Sequence, residues 1–159
     1  MADTKSDPEV MDILNEVLTA ELTAINQYFL HGRMCRNWGY HRLDDKLRAE
    51  SIDEMKHADK LIERILYLGG VPNVQRLFKI NVGETVVEQL RSDHALEVDA
   101  IARMNRGVEI CRSRGDNGSR HLLEEMLVSE EEHLDWIEAQ QTLIQQVGEA
   151  NYLSQQIRS

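Results

Sequence analysis

Apolar residues recur at intervals of three and four along four stretches of the chain. Leu14, Val17, Leu18, Ala24, Ile25 and Tyr28 form the first stripe, and Leu47, Ala58, Leu61, Ile65 and Leu68 the second. Leu90, Ile101, Met104 and Val108 form the third, and Leu123, Leu127, Leu134, Ile137 and Ile144 the fourth. This is the period of an amphipathic α-helix. Punctuation residues bound each stripe. Ser6-Asp7-Pro8-Glu9 reads as a helix start, with a capping side chain, a proline in the first turn and an acid after it. Gly39 closes the first helix after about Asn37, and the second runs from about Arg42 to Leu68, where Gly69-Gly70-Val71-Pro72 ends it. The stretch to about Glu84 lacks helical periodicity. A third helix is expected from about Thr85 to Arg114, a turn at Gly115-Asp116-Asn117-Gly118, and a fourth helix from about Ser119 to Val147. Gly148 breaks that helix, and Asn151 to Ile157 can form a short fifth. The predicted fold is all-α: a four-helix bundle of two helical hairpins, with a crossover long enough to set helix three parallel to helix two.

The chain also matches itself at an offset of 76 residues. Leu14, Glu21, Ala24, Ile25, Cys35, Arg36, Gly39, Leu47, Glu54, His57 and Asp59 each meet an identical residue, eleven identities across the 46 positions from 14 to 59. A shared helical bias accounts for some apolar pairs. It does not account for glutamate, histidine and glycine falling in one register. Each hairpin therefore reads as a copy of the other, and the bundle should have approximate two-fold symmetry.

The repeat directs attention to charge inside the stripes. Glu21 lies between Leu18 and Ile25, and Glu97 between Leu90 and Ile101. Glu54-x-x-His57 and Glu130-x-x-His133 lie in the inward stripes of helices two and four. Residues three apart share a helix face, so each Glu–His pair can reach one ion. Glu21 and Glu97 precede their turn glycines by 18 residues, and Glu54 and Glu130 follow them by 15. At a rise of ~1.5 Å per residue, all four carboxylates stand roughly 22 to 27 Å from their turns, in one layer. Four buried carboxylates without a cation would repel one another and lose their hydration. Two divalent ions cancel the charge, and carboxylate oxygen with one imidazole per metal suits iron or manganese. Two glutamates plus two Glu-x-x-His motifs are the known ligand pattern of ferritin-like di-iron carboxylate proteins. Glu21, Glu54, His57, Glu97, Glu130 and His133 are thus the candidate metal ligands and catalytic residues.

Composition agrees. The chain has 159 residues, taken as one domain over 1–159, with 42% hydrophobic and 29% charged residues, as in a soluble globular protein. A net charge of −10 argues against a nucleic-acid binder and favours attraction of cations. No apolar run approaches membrane-spanning length, and Met1 to Ser6 is polar, so neither a membrane segment nor a signal peptide is expected. Cys35 and Cys111 form no CxxC motif, and a reducing cytoplasm is the expected location.

Other residues carry weaker signals. Tyr28 is a candidate to hydrogen-bond a ligand carboxylate, or a core tyrosine with a satisfied hydroxyl. His94, one turn from Glu97, is a candidate further ligand, or a histidine outside the ligand set. Trp136 reads as packing or as an electron relay, and the two cysteines as small core fillers. His31, His41 and His121 show no spacing signal. Helices one and two carry a second apolar face: Ile52, Met55, Ile62 and Leu66 on one, Leu22 and Phe29 on the other, with Asn26 between. A helix with two apolar faces has a second partner, here a dimer interface.

The strings Asn26-Gln27-Tyr28-Phe29-Leu30-His31, Glu50 to Asp59 and Glu130 to Trp136 resemble the bacterioferritins, haem-binding members of the ferritin family. The likeness runs from about Asp12 to the end of the chain. It implies a ferritin-like bundle in a hollow shell of 24 subunits, built from dimers, that oxidises Fe(II) with O2 or H2O2 and stores ferric mineral. It implies two iron ions per subunit, bridged by Glu54 and Glu130, with Glu21 and His57, and Glu97 and His133, as terminal ligands. It implies haem b shared between two subunits, with Met55 from each as axial ligand, and a small ferredoxin as reductant. Some relatives co-assemble two subunit types. Asp53 matches an inner-surface position on an iron path. Ala49 and Leu61 depart from residues found in some relatives, a histidine on the inner surface and an aromatic near the site. A rubrerythrin-type peroxidase would share the bundle but bring a CxxC module, a DNA-protecting relative would place its ligands between subunits, and a haem-binding structural subunit would lack site ligands.

Overall fold

The computed structural model describes residues 7–158. Five helices follow in order: α1 (Pro8–Asn37), α2 (His41–Tyr67), α3 (Val86–Ser113), α4 (Asn117–Val147) and α5 (Glu149–Ser154), with no strand among the described residues. Asp7 caps α1, its carboxylate accepting from the amides of Glu9 and Val10. Ser6 and the polar stretch before it lie outside the described residues. α4 begins two residues earlier than the pattern suggests, because the Asp116 side chain accepts from the Ser119 amide and caps the turn. α5 also starts and ends early, and Ile157, placed in it by sequence, lies beyond it.

The two hairpin turns are built alike. Cys35 and Cys111 carbonyls accept from the amides of Tyr40 and Asp116 at 2.8 and 2.9 Å, while Gly39 and Gly115 amides donate to Arg36 and Arg112 at 3.0 and 3.1 Å. This paired closure requires a left-handed residue after the helix, and φ is 91° at Gly39 and 72° at Gly115. The repeated Cys-Arg-x-x-Gly string is therefore a repeated helix stop.

Partner lists fix the topology. Along α1, Glu9, Glu16 and Gln27 meet in turn Arg114, the residue that caps the end of α3, and Arg103 and Asp93 within α3, so the two helices run antiparallel. Ser51 of α2 donates to the Ile25 carbonyl of α1, and Arg36 pairs with Asp44, again antiparallel. Arg64, His57 and Glu50 of α2 meet Ser119, Glu130 and His133 of α4 in the same sense. Helices α2 and α3 are therefore parallel, as the long connection suggests.

That connection is an extended strap along α1. Asn73, Phe78, Asn81 and Gly83 amides donate in turn to side chains of Asn15, Thr23, Gln27 and His31, at 2.8 to 3.1 Å. His31, fully buried, accepts from Gly83 at Nε2 and so donates from Nδ1 to Asp93 at 2.9 Å. A Cβ at position 83 would fall 2.3 Å from the Gln89 amide nitrogen, so only glycine allows this approach.

Two apolar clusters fill the bundle. One gathers Val10, Ile13, Leu14, Val17, Leu18, Leu61, Ile65, Met104 and Leu123, and the other Ala24, Tyr28, Leu43, Leu47, Leu90, Ile137 and Tyr152. Between them lies a layer of charge, with Glu21, Glu54, Glu97, Glu130 and His133 buried and His57 half-buried.

Candidate metal centre

Each bundle helix contributes to this layer at the height set by its turn. Glu21, Glu54, Glu97 and Glu130 are each no more than 2% exposed, and His133 is 3% exposed. Their donor atoms gather into two overlapping groups, Glu21–Glu54–His57–Glu130 and Glu97–Glu130–His133, within each of which the chosen atoms lie within 4.8 Å of one another. Glu130 belongs to both groups. The six residues singled out by spacing and duplication thus stand together inside one chain.

The distances suit metal ligation. His57 Nδ1 lies 3.7 Å from Glu21 Oε1, 3.5 Å from Glu54 Oε2 and 3.3 Å from Glu130 Oε1, and His133 Nδ1 lies 3.1 Å from Glu97 Oε1. With metal–ligand bonds of ~2.1 Å, neighbouring ligand atoms stand roughly 3.0 to 3.4 Å apart. Hydrogen bonding points the same way. Among the described residues seven buried side-chain nitrogen or oxygen atoms lack a hydrogen-bond partner: Glu21 Oε1, Glu54 Oε2, His57 Nδ1, Glu97 Oε2, Glu130 Oε1, His133 Nε2 and, elsewhere, Asp44 Oδ1. Buried polar atoms are otherwise almost always satisfied. Six of these seven atoms belong to the six candidate ligands, one to each, so the layer offers donor atoms that the protein's own groups do not satisfy and cations would; at His133 that atom is Nε2, since Nδ1 is hydrogen-bonded to Glu97 Oε1.

Electrostatics supports that reading. Two ionised carboxylates at ~4 Å repel by about 4 kcal/mol at an effective dielectric of ~20. Burial first, and then the neighbouring Glu130, push the Glu97 carboxyl up to about 8. Burial chiefly, and the charge of Glu54, push Glu130 up to about 7, and burial also raises Glu54. For His57, burial works to lower the value, but the Glu130 and Glu54 carboxylates close to Nδ1 favour the charged imidazolium, outweigh burial and carry it up to about 10. Without metal, the site holds its carboxylates together by keeping protons.

Comparison with known proteins places the chain. The ferritin-like domain family matches residues 11–147. A bacterioferritin of Mycobacterium leprae is 47% identical over 151 residues, covering 95% of each chain. One of Streptomyces coelicolor is 49% identical over 150 residues, 94% of this chain and 90% of that one. Another, of Brucella melitensis, is 45% identical over 148 residues, 93% and 92% of the two chains. The chain belongs to the bacterioferritin family.

Other residues singled out by sequence fall around the centre. The Tyr28 hydroxyl, fully buried, donates to Glu97 Oε1, and its ring meets His133 edge-on at 4.9 Å. Burial, then the charges of Glu97, Asp93 and Glu130, hold that phenol well above its usual range. Trp136 stacks on His133 at 6.1 Å. His94 points elsewhere, its Nε2 2.9 Å from Glu138. Asp53 is half-buried on α2 beside Glu54. Met55 is 46% exposed and shares its outer face with Ile52, Leu66 and, on α1, Phe29. Ile62 and Leu22, assigned to that face from sequence, are instead half-buried against the first apolar cluster. Both cysteines are fully buried, and burial takes each thiol up to about 12.

Two features escape the spacing argument. His31 and Asp93 anchor the strap, and Glu50, 8% exposed, places Oε2 3.4 Å from His133 Nδ1. Glu50 lies four residues before Glu54, on the same inward stripe. The repeat hid it, because its counterpart is Met126.

Proposed function

We propose that this chain is an iron-storage subunit whose di-iron centre oxidises Fe(II) to Fe(III). The observation that carries this reading is the set of six orphaned donor atoms, one on each of Glu21, Glu54, His57, Glu97, Glu130 and His133. Two Fe(II) ions bind as substrate, displacing protons from the ligand carboxyls and His57. Glu130, common to both ligand groups, would bridge them, and Glu54 would bridge beside it, as the likeness to bacterioferritins implies. Glu21 with His57, and Glu97 with His133, complete the two ends. Each ion gives up one electron. Dioxygen takes the pair with two protons and leaves as hydrogen peroxide, or hydrogen peroxide takes it with two protons and leaves as two waters. Glutamate suits this step because a carboxylate can shift between one and two metals as iron gains charge and shrinks. Tyr28 holds Glu97 by its hydroxyl, and the apolar clusters on either side keep bulk water from the reacting pair.

The remaining assignments are what the likeness to bacterioferritins suggests for this chain. Twenty-four subunits, in dimers, enclose a cavity that stores ferric mineral in the cytoplasm, with a second subunit type in some assemblies. The apolar face around Met55 pairs two chains. The exposed thioether there is a soft ligand in an apolar setting, which fits a haem held by Met55 from each partner. Bound haem would carry electrons from a small ferredoxin for release of stored iron. Asp53, beside the centre, lies on the iron path to the cavity.

The test is oxygen-dependent Fe(II) oxidation, followed optically in the wild type and in Glu54→Ala. Loss of the rapid phase in the variant supports the assignment; equal rates refute it.

A further inference from the structure

The repeat makes the two halves of the centre equivalent in their ligands but not in their surroundings. Beside His133 stand Tyr28, Lys46 and Glu50. Their counterparts 76 residues on are Met104, Leu122 and Met126, all apolar and all in or against the first apolar cluster. Only the His133 half therefore has a further carboxylate within reach. Glu50 Oε1 is held by Lys46 Nζ at 2.9 Å, which turns Oε2 toward His133 Nδ1 at 3.4 Å. His133 Nδ1 in turn lies 3.1 Å from Glu97 Oε1, and Glu97 Oε2 is buried without a hydrogen-bond partner. Both spacings are as short as those around His57 Nδ1; the second is also a hydrogen bond, and Glu50 stands just outside the Glu97–Glu130–His133 group, so it would meet an ion there by turning inward from His133. Lys46 is braced over the Trp136 ring at 5.1 Å, and Trp136 is the residue stacked on His133.

We propose that Glu50 is a seventh metal-binding carboxylate of this protein, reserved for the divalent cation in the His133 half-site and aimed by Lys46. The inference rests on the di-metal reading above. It makes the two ions inequivalent. The ion near His57 has a histidine with 14% of its side chain exposed and no carboxylate at the position that matches Glu50, which is Met126. The ion near His133 has a histidine with 2% of its side chain exposed, an added ligand and a lysine–tryptophan brace outside it. The cavity beyond that brace, of about 450 Å³, is lined by Arg42 and Lys46 among others, so its charge opposes cations. Cations reach the centre from the His57 side, and the His133 ion is the slower to leave.

Co(II), which does not turn over, is the probe. Metal-free protein is titrated anaerobically, and the visible ligand-field bands and release to a chelator are recorded for wild type, Glu50→Gln and Lys46→Met. The expected result is two Co(II) per wild-type chain, released in two phases at least tenfold apart. Glu50→Gln should weaken one ion at least tenfold, shift the bands of that ion alone and merge the two phases, while Lys46→Met, which keeps the carboxylate but loosens its aim, should weaken the same ion by severalfold less. A Glu50→Gln protein with wild-type affinities and bands overturns the proposal. So does equal weakening by both variants, because that is the mark of a structural ion pair. Binding of fewer than two Co(II) by the wild type overturns the di-metal reading itself, whereas two ions released in one phase overturn only the inequivalence.

Discussion

Loading the centre with metal must expel protons, and the structure sets how many. At pH 7 a carboxyl raised to about 8, as at Glu97, is roughly nine-tenths protonated, one raised to about 7, as at Glu130, is half protonated, and His57, raised to about 10, is fully protonated. Ligation needs carboxylates and a neutral imidazole, so these three groups should together release about two and a half protons per chain at pH 7, with Glu54, also raised by burial, adding to that. At pH 8.5 only His57 is still largely protonated, and the release should fall to about one. By linkage, the combined affinity for the two ions should rise by roughly two decades per pH unit near neutrality, and by about one decade near pH 8.5. The assay is an anaerobic Fe(II) titration in weakly buffered solution with base added to constant pH, repeated from pH 6 to 8.5. Release below half a proton per chain, or release that does not change with pH, would refute the claim that buried, mutually repelling carboxylates hold protons until metal arrives.

Three further outcomes are expected. Glu130→Gln should weaken both ions tenfold or more in a calorimetric titration with Zn(II), whereas Glu21→Gln should weaken only one, because only Glu130 stands in both ligand groups. The metal-free protein should lose thermal stability as pH rises from 6 to 9. Glu97, Glu130 and His57 all have folded values above their ordinary ones, so the stability they contribute is present at lower pH and is lost as pH climbs through 7, 8 and 10, whereas the melting temperature of the metal-loaded protein should change little over that range. Met55→Leu should abolish the haem absorption band while leaving Fe(II) oxidation within about twofold of wild type, since the exposed thioether faces away from the buried layer.

Much of this architecture is written in the sequence because the helices obey local rules. Stripes at intervals of three and four gave all four bundle helices, and turn residues placed their ends within two residues. Asp116 explains the main shift, because a capping side chain begins α4 before the apolar stripe does. The ligand layer was legible for a different reason. Duplication repeats Glu21, Glu54 and His57 at one offset, and a rise per residue converts that offset into height. What duplication does not repeat stayed hidden. Glu50 occupies the inward stripe, yet its counterpart is Met126, so symmetry pointed past it. His31 pairs with Gly107 across the repeat, and its role depends on a strap more than fifty residues away in sequence. Such contacts arise from tertiary packing, which periodicity does not encode.

The central claim is that one chain holds two iron ions between four helices. Diffraction from crystals soaked anaerobically in Fe(II), measured on both sides of the iron absorption edge, tests it most directly. The account predicts two anomalous peaks per chain, one among Glu21, Glu54, His57 and Glu130 and one among Glu97, Glu130 and His133. A single peak, or iron lying only outside this layer, would contradict it.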